Sequence, residues 1–274
     1  MSLPFRALGL GGGGIKGILH IGALLELSKH QPLKFPDGIY GCSVGSILAT
    51  YLAFELPLDK MVPLMKTYLN MERMTPKFEF KHVSTAFSAK GLYSMDTFTQ
   101  SMTQMFLEAG LDVKDKTLAD AHMPLYIVAS NITKGTPTIF SKQVSLLDAL
   151  KCSCCIPGVF RPIDLYGQLY VDGILFAPCI ASLTPKDTLV FSLTKQRKRN
   201  ITPMLLEQMS PISYLDELYI MMSRVFHDAC LTPNTLCLSY PNLHSDSDLS
   251  KFDIEPILNH AGQSLNHFIS KRLL

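Results

Sequence analysis

Twice before residue 54 an apolar run stops at glycine and gives way at once to a stretch with helical spacing, and this repeat constrains the fold more than any other feature. Phe5 to Leu10 reads as a short buried strand, Gly11 to Gly14 as its turn, and Ile15 to Lys29 as a helix, with Ile15, Ile18, Leu19, Gly22 and Leu25 along one side. Pro36-Asp37-Gly38 signals a turn, Ile39 to Cys42 a second strand and Ser43 to Phe54 a second helix. A helix that follows a strand after a tight turn carries the chain back to start a neighbouring parallel strand, so two such units in succession predict a parallel sheet. The chain has 274 residues, of which 47% are hydrophobic. At this size folding buries ~70–75% of the unfolded surface, so one large α/β domain over 1–274 needs no disulfide or metal to hold it together.

Beyond Leu56 the strand signals fade. Leu58 to Met71 and Met95 to Ala109 read as helices, and segment 56–111 is a candidate helical lid region. Seven of the thirteen methionines fall between Met61 and Met105, a density that suits a packed helical core or an adaptable apolar surface. Strand and helix alternate again from Leu125. Leu125 to Ala129 and Thr136 to Phe140 are strands about a polar turn, Leu146 to Cys154 is a helix ended by Pro157, and Thr188 to Leu193 is a buried strand. Lys195, Arg197, Lys198 and Arg199 then make a basic loop, read either as a solvated turn or as a contact to anionic lipid. Helices over Ile212 to Ala229 and Ile254 to Leu273 flank a strand near Thr235 to Ser239, with no linker or second domain.

Several function classes are excluded or disfavoured. A formal charge of +2 argues against a nucleic-acid partner read through many phosphate contacts. The first ten residues lack a signal-peptide core, and no apolar stretch reaches the ~18–20 residues that span a bilayer. The seven cysteines are odd in number, and Cys152, Cys154 and Cys155 are clustered, unlike a secreted disulfide framework. A cytoplasmic protein is expected, with at most peripheral contact to membranes or lipid droplets. No cofactor or metal site is expected; the cysteine cluster reads as buried packing, with no partner pair at zinc spacing.

Gly41-Cys42-Ser43-Val44-Gly45 fits G-x-S-x-G, in which a serine occupies a sharp strand-to-helix turn, so Ser43 is the nucleophile candidate. Gly11 to Gly17 sits at the other such turn, where Gly12, Gly13 and Gly14 expose backbone N–H groups near a helix start and Lys16 adds positive charge, an anion cradle suited to a tetrahedral oxyanion. Gly12-x-Gly14-x-x-Gly17 also satisfies the dinucleotide fingerprint, but Asp37, at the ribose-binding spacing, precedes the second strand instead of ending it. A serine needs a base. None of the eight histidines lies in a local motif, and Asp172, in Val171-Asp172-Gly173, reads by itself mainly as a hairpin turn.

Taken together, the motifs resemble the patatin-like phospholipase family over most of the first two hundred residues. Gly12-Gly13-Gly14-Ile15-Lys16-Gly17 is similar to that family's oxyanion loop, Gly41 to Gly45 to its nucleophile elbow, Asp172-Gly173 to its aspartate motif, and Lys151 to Phe160 to the helix end before it. The resemblance implies a three-layer αβα sandwich with a mainly parallel central sheet. It also implies a Ser43–Asp172 dyad and hydrolysis of acyl esters of phospholipids or other lipids. Ile174 stands where the family usually has Gly or Ala, which bears on substrate range. Two rivals remain. One is an α/β-hydrolase triad of Ser43, Asp172 and a later histidine such as His227; the other is a non-enzymatic dinucleotide- or lipid-binding module.

Overall fold

The computed structural model describes residues 4–77, 79, 88–193, 201–209, 211–244 and 248–273. The chain alternates as expected as far as Ala53: β1 (Ala7–Leu10), α1 (Ile18–His30), β2 (Gly38–Cys42) and α2 (Val44–Ala53). Then come α3 (Met61–Tyr68), β3 (Gly91–Tyr93), α4 (Asp96–Ala109), β4 (Leu125–Asn131), β5 (Thr136–Phe140) and α5 (Leu146–Ser153). Three short strands follow, β6 (Gly158–Phe160), β7 (Ile163–Leu165) and β8 (Gln168–Asp172). The chain continues through β9 (Leu189–Leu193), α6 (Pro211–Ala229), β10 (Thr235–Leu238) and α7 (Ile254–Leu273).

The main sheet runs β10-β9-β1-β2-β4-β8-β7, with β5 also on β4. From β10 to β4 every pairing is parallel, whereas β5, β8 and β7 join antiparallel. The parallel strands are buried on both faces, which accounts for their continuous apolar runs. Their side chains alternate between two cores. Leu8, Leu10, Ile39, Ile127, Leu189 and Phe191 join the larger one, beneath α1 to α5 and α7. Tyr40, Cys42, Val128 and Val190 join a thinner one, covered by Ala177 to Ala181 and reached by Cys230 just after α6. A mixed α/β sheet flanked on both faces is therefore observed.

Helix α1 packs closely against α7 because residue 22 is glycine; a Cβ there would stand 2.5 Å from the Leu258 carbonyl oxygen. Helix α5 begins where the Ser145 hydroxyl accepts the Asp148 N–H at 3.3 Å. Within 56–111, Met61, Met65, Met95, Met102 and Met105 are buried in the larger core.

Two readings need correction. The helix expected over Leu58 to Met71 is broken into a 3-10 turn, α3 and a separate turn at Met71–Met74. Asp172-Gly173 is no hairpin: β8 ends there and a 3-10 turn, Gly173–Leu175, follows. The hairpin lies earlier, between β7 and β8, where Tyr166 and Gly167 take φ of 55° and 73°. The basic loop over Lys195 to Arg199 lies outside the described residues. No helix among them is long and apolar enough to cross a membrane.

Candidate active site

The register of three strands places Ser43 beside Asp172. Strand β5 occupies one edge of β4 along Ile127 to Asn131, so β2 and β8 must share the other. On that edge Cys42 pairs with Val128, and Asp172 pairs with Ala129, the next residue along β4. Strands β2 and β8 thus abut end to end, and two residues far apart in the chain face each other across the junction. The Ser43 hydroxyl donates to Asp172 Oδ2 at 2.6 Å. Asp172 Oδ1 accepts the Ile174 N–H at 2.9 Å, and the Asp172 N–H donates to the Cys155 carbonyl at 2.7 Å. Both side chains are buried, with Ser43 8% and Asp172 2% exposed.

Ser43 holds φ 53° and ψ −129°, a region that residues with a Cβ rarely enter. Its surroundings enforce the turn. The Ser43 N–H donates to Ser153 Oγ at 2.9 Å, Ser153 Oγ donates to the Val128 carbonyl at 2.7 Å, and the Ser43 carbonyl accepts Ser46 Oγ at 2.6 Å and Ser46 N at 2.8 Å. Gly45 is required for close approach: a Cβ would lie 2.0 Å from the Leu10 carbonyl oxygen, where α2 crosses the end of β1. Gly41 passes against Gly45 and Ser46, and Gly173 against Val128 and Cys42.

The glycine loop closes the other side. A methyl group at Gly12 would meet Ser43 Cβ at 3.0 Å and Ile174 Cδ1 at 3.5 Å, so this loop, the elbow and the aspartate turn converge. Gly14, at φ 57°, opens a 3-10 turn that runs through Gly17 into α1. Backbone N–H groups at such a start have no acceptor within the helix. Gly13 packs on Leu193 and Gly17 on Val44, while Lys16 is buried beneath.

Cys42, Cys152, Cys154 and Cys155 are all buried. Burial pushes the Cys152 and Cys155 thiols up to about 12 and holds Cys42 and Cys154 well above the usual thiol range, so none is a ready thiolate nucleophile. His227 is not brought to the dyad. Its Nε2 pairs with Ser192 Oγ at 2.7 Å and its Nδ1 lies 3.1 Å from Asp228 Oδ1.

The profile of the patatin-like phospholipase family matches residues 8–183, a span that contains the glycine loop, the elbow and Asp172. The chain belongs to the patatin-like phospholipase family. An uncharacterized protein of Acanthamoeba polyphaga mimivirus is 29% identical over 174 residues, covering 61% of this chain and 57% of its own length. The protein named "Probable lipid hydrolase 463L", from Invertebrate iridescent virus 6, is 29% identical over 180 residues, or 62% of this chain and 59% of its own. The match thus spans under two thirds of either relative. The crystal structure of VipD from Legionella pneumophila superposes with a TM-score of 0.59 at 13% identity, covering 98% of this chain and 68% of VipD, a likeness of fold.

Two residues beside the candidate site carry no individual signal in the sequence. Ser153, which accepts the Ser43 N–H, lies in the stretch similar to the family's helix end but has no motif of its own. His20, which reaches the glycine loop, is one of eight histidines without a distinguishing neighbour.

Proposed function

We propose that the protein is a lipid acyl hydrolase, an esterase of phospholipase A type, acting through Ser43 and Asp172. The observation that carries this reading is the 2.6 Å hydrogen bond from a strained serine to a buried carboxylate. Ser43 Oγ attacks the acyl carbonyl carbon while its proton passes to Asp172. The tetrahedral intermediate collapses by breaking the carbon–oxygen ester bond, and the leaving alkoxide takes the proton back from Asp172. Water then attacks the acyl-enzyme and gives its proton to Asp172. That proton returns to Ser43 Oγ as the fatty acid leaves. General-base help supplies ~10²–10⁴ in rate, and a carboxylate, which in water takes up its proton only near pH ~3.9, is a weak base for a hydroxyl. The N–H groups of Gly12, Gly13 and Gly14 must therefore do much of the work by holding the oxyanion, where one donor is worth ~10²–10³. Lys16 and Gly17 shape that turn, Gly41 and Gly45 the elbow, and Gly173 the aspartate loop. Ile174, beside Gly12, narrows the space for the acyl chain.

An acyl lipid must reach the dyad from an aggregate, and helix α6 offers a surface for contact with an anionic phospholipid membrane. Leu218, Met222, Val225 and Phe226 recur at helical spacing and are exposed, as are Met204 and Leu206 just before it. Four cations, Lys195, Arg197, Lys198 and Arg199, precede this apolar face in the sequence, a pairing that complements acidic headgroups over an acyl interior. The reaction is tested by exposing wild type and Ser43→Ala to a fluorophosphonate ester and measuring intact mass alongside phospholipid hydrolysis. An adduct and fatty-acid release confined to wild type are expected; unchanged hydrolysis by Ser43→Ala would end this reading in favour of a binding module or another nucleophile.

A further inference from the structure

The glycine loop leaves β1 at Gly11 and re-enters helix at α1, and one side chain closes the circuit. His20, the third residue of α1, is fully buried, and its Nε2 lies 2.9 Å from the Gly11 carbonyl oxygen. A carbonyl oxygen only accepts, so Nε2 carries the proton. Nδ1 is then a bare lone pair, and it is buried without a hydrogen-bond partner. An apolar residue would fill this core position without leaving such an atom, so packing alone gives no reason for histidine. Burial moves the imidazole down to about 4, with the positive charge of Lys16 acting in the same direction, so the ring is neutral and its tautomer set at physiological pH.

Gly11 is held on its other side as well. Its N–H donates to the Phe191 carbonyl at 2.9 Å, and the Phe191 ring lies stacked near the imidazole, with centroids 6.2 Å apart at 26°. The Gly11–Gly12 peptide is planar and trans, so its C=O and N–H point in opposite directions. With the oxygen turned to His20, the Gly12 N–H faces the other way, on the side of the Cys42 sulfur, and Gly12 itself packs on Ser43. This restraint matters because Gly11 to Gly14 are four successive residues without Cβ atoms, each able to rotate at small cost. A flipped peptide would present a carbonyl oxygen where an N–H is needed, repelling the developing oxyanion.

We propose that His20 is a positioning residue for the oxyanion site: its Nε2–H holds the Gly11 carbonyl and so fixes the peptide plane from which the Gly12 to Gly14 donors reach the carbonyl attacked by Ser43. This rests on the acyl-hydrolase reading of Ser43 and the glycine loop. A glutamine amide nitrogen sits at the same distance along the side chain as Nε2, whereas an asparagine amide falls short of it. His20→Leu and His20→Asn lower kcat ten- to a hundredfold with KM within about twofold, and His20→Gln restores most of the loss. A fatty-acyl trifluoromethyl ketone, which forms an oxyanion on reaction with serine, binds His20→Asn ten- to a hundredfold more weakly than wild type. The corresponding unreactive alcohol binds both equally. Full kcat in folded His20→Asn, failure of His20→Gln to exceed His20→Asn, or parallel loss of ketone and alcohol binding each overturns the proposal. If wild type shows no Ser43-dependent hydrolysis, the acyl-hydrolase reading fails and this one falls with it. Wild-type activity with indifferent His20 variants refutes the positioning role alone.

Discussion

Replacing Ser43 by glycine and by alanine separates backbone strain from chemistry. Both variants lose the hydroxyl and its hydrogen bond to Asp172, and neither loses a helix cap, since Ser43 makes no capping bond with its side chain. They differ in whether a Cβ must occupy φ 53° and ψ −129°. Holding a residue with a Cβ in such a region costs ~1–3 kcal/mol, against ~0.4–1 kcal/mol for the greater freedom of glycine in the unfolded chain. The balance leaves Ser43→Gly ~1–2 kcal/mol more stable than Ser43→Ala, the reverse of the usual order for these residues. At ~2–4 °C per kcal/mol for a domain of this size class, the melting temperatures differ by ~2–8 °C. Urea unfolding followed by circular dichroism, with equal m-values in the two proteins, gives the free-energy difference directly. Both variants are expected to lose ester hydrolysis. Equal stability, or a more stable alanine variant, would mean that the elbow is unstrained, and the argument for Ser43 as a nucleophile held by its backbone would fail.

Asp172→Asn removes the proton acceptor while keeping the shape of the site, so kcat falls by ~10²–10⁴ with little change in KM, read from steady-state kinetics on a soluble ester. Gly45→Ala drives a methyl group into the Leu10 carbonyl oxygen, a backbone atom with nowhere to move, and destabilises by more than ~3 kcal/mol or prevents folding; a soluble variant with wild-type melting would contradict this. His20 takes up its proton near pH ~6.5 when unfolded but only near about 4 when folded, so the unfolded state binds more protons between these values. Stability therefore falls as pH drops from about 6.5 towards 4, by ~3 kcal/mol in all, and His20→Gln flattens that slope in urea titrations made at successive pH values. Met222→Glu with Phe226→Glu reduces co-sedimentation with vesicles rich in anionic phospholipid while leaving turnover of a water-soluble ester intact; unchanged sedimentation would remove α6 from the interface.

Legibility in the sequence follows how local each signal is. The two strand–turn–helix units are readable because a glycine turn, an apolar run and a helical face all lie within one window, and Ser43 is readable because its turn demands small neighbours at fixed offsets. Strands β6 and β7 are not, because three-residue strands with partly exposed side chains show too little alternation to register as a period. Asp172 misleads by itself: Asp-Gly is a local turn signal, and what brings this residue to Ser43 is a pairing with β4 that no nearby residue encodes. His20 is hidden for a related reason. Its spacing fits the buried face of α1, and only the loop folding back over the helix reveals a carbonyl within reach of its ring.

On the proposed mechanism, the junction of β2 and β8 accounts for how two residues do work usually shared among three. A histidine between serine and carboxylate spans a gap of several ångströms, and here the gap is absent, because Cys42 and Asp172 pair with adjacent residues of one strand. The serine–aspartate separation is thus set by the hydrogen-bonded ladder of β4, among the stiffest elements available, and not by the packing of a loop. Rigidity on that side shifts the demand to the other. With Ser43 and Asp172 held by backbone register, the part of the site with the fewest side-chain restraints is the run of glycines facing them, and that run is anchored by the Gly11 contacts to Phe191 and His20. Substitutions that loosen β4 should therefore lengthen the Ser43–Asp172 contact, whereas substitutions at His20 should leave that contact intact and weaken only the capture of the oxyanion.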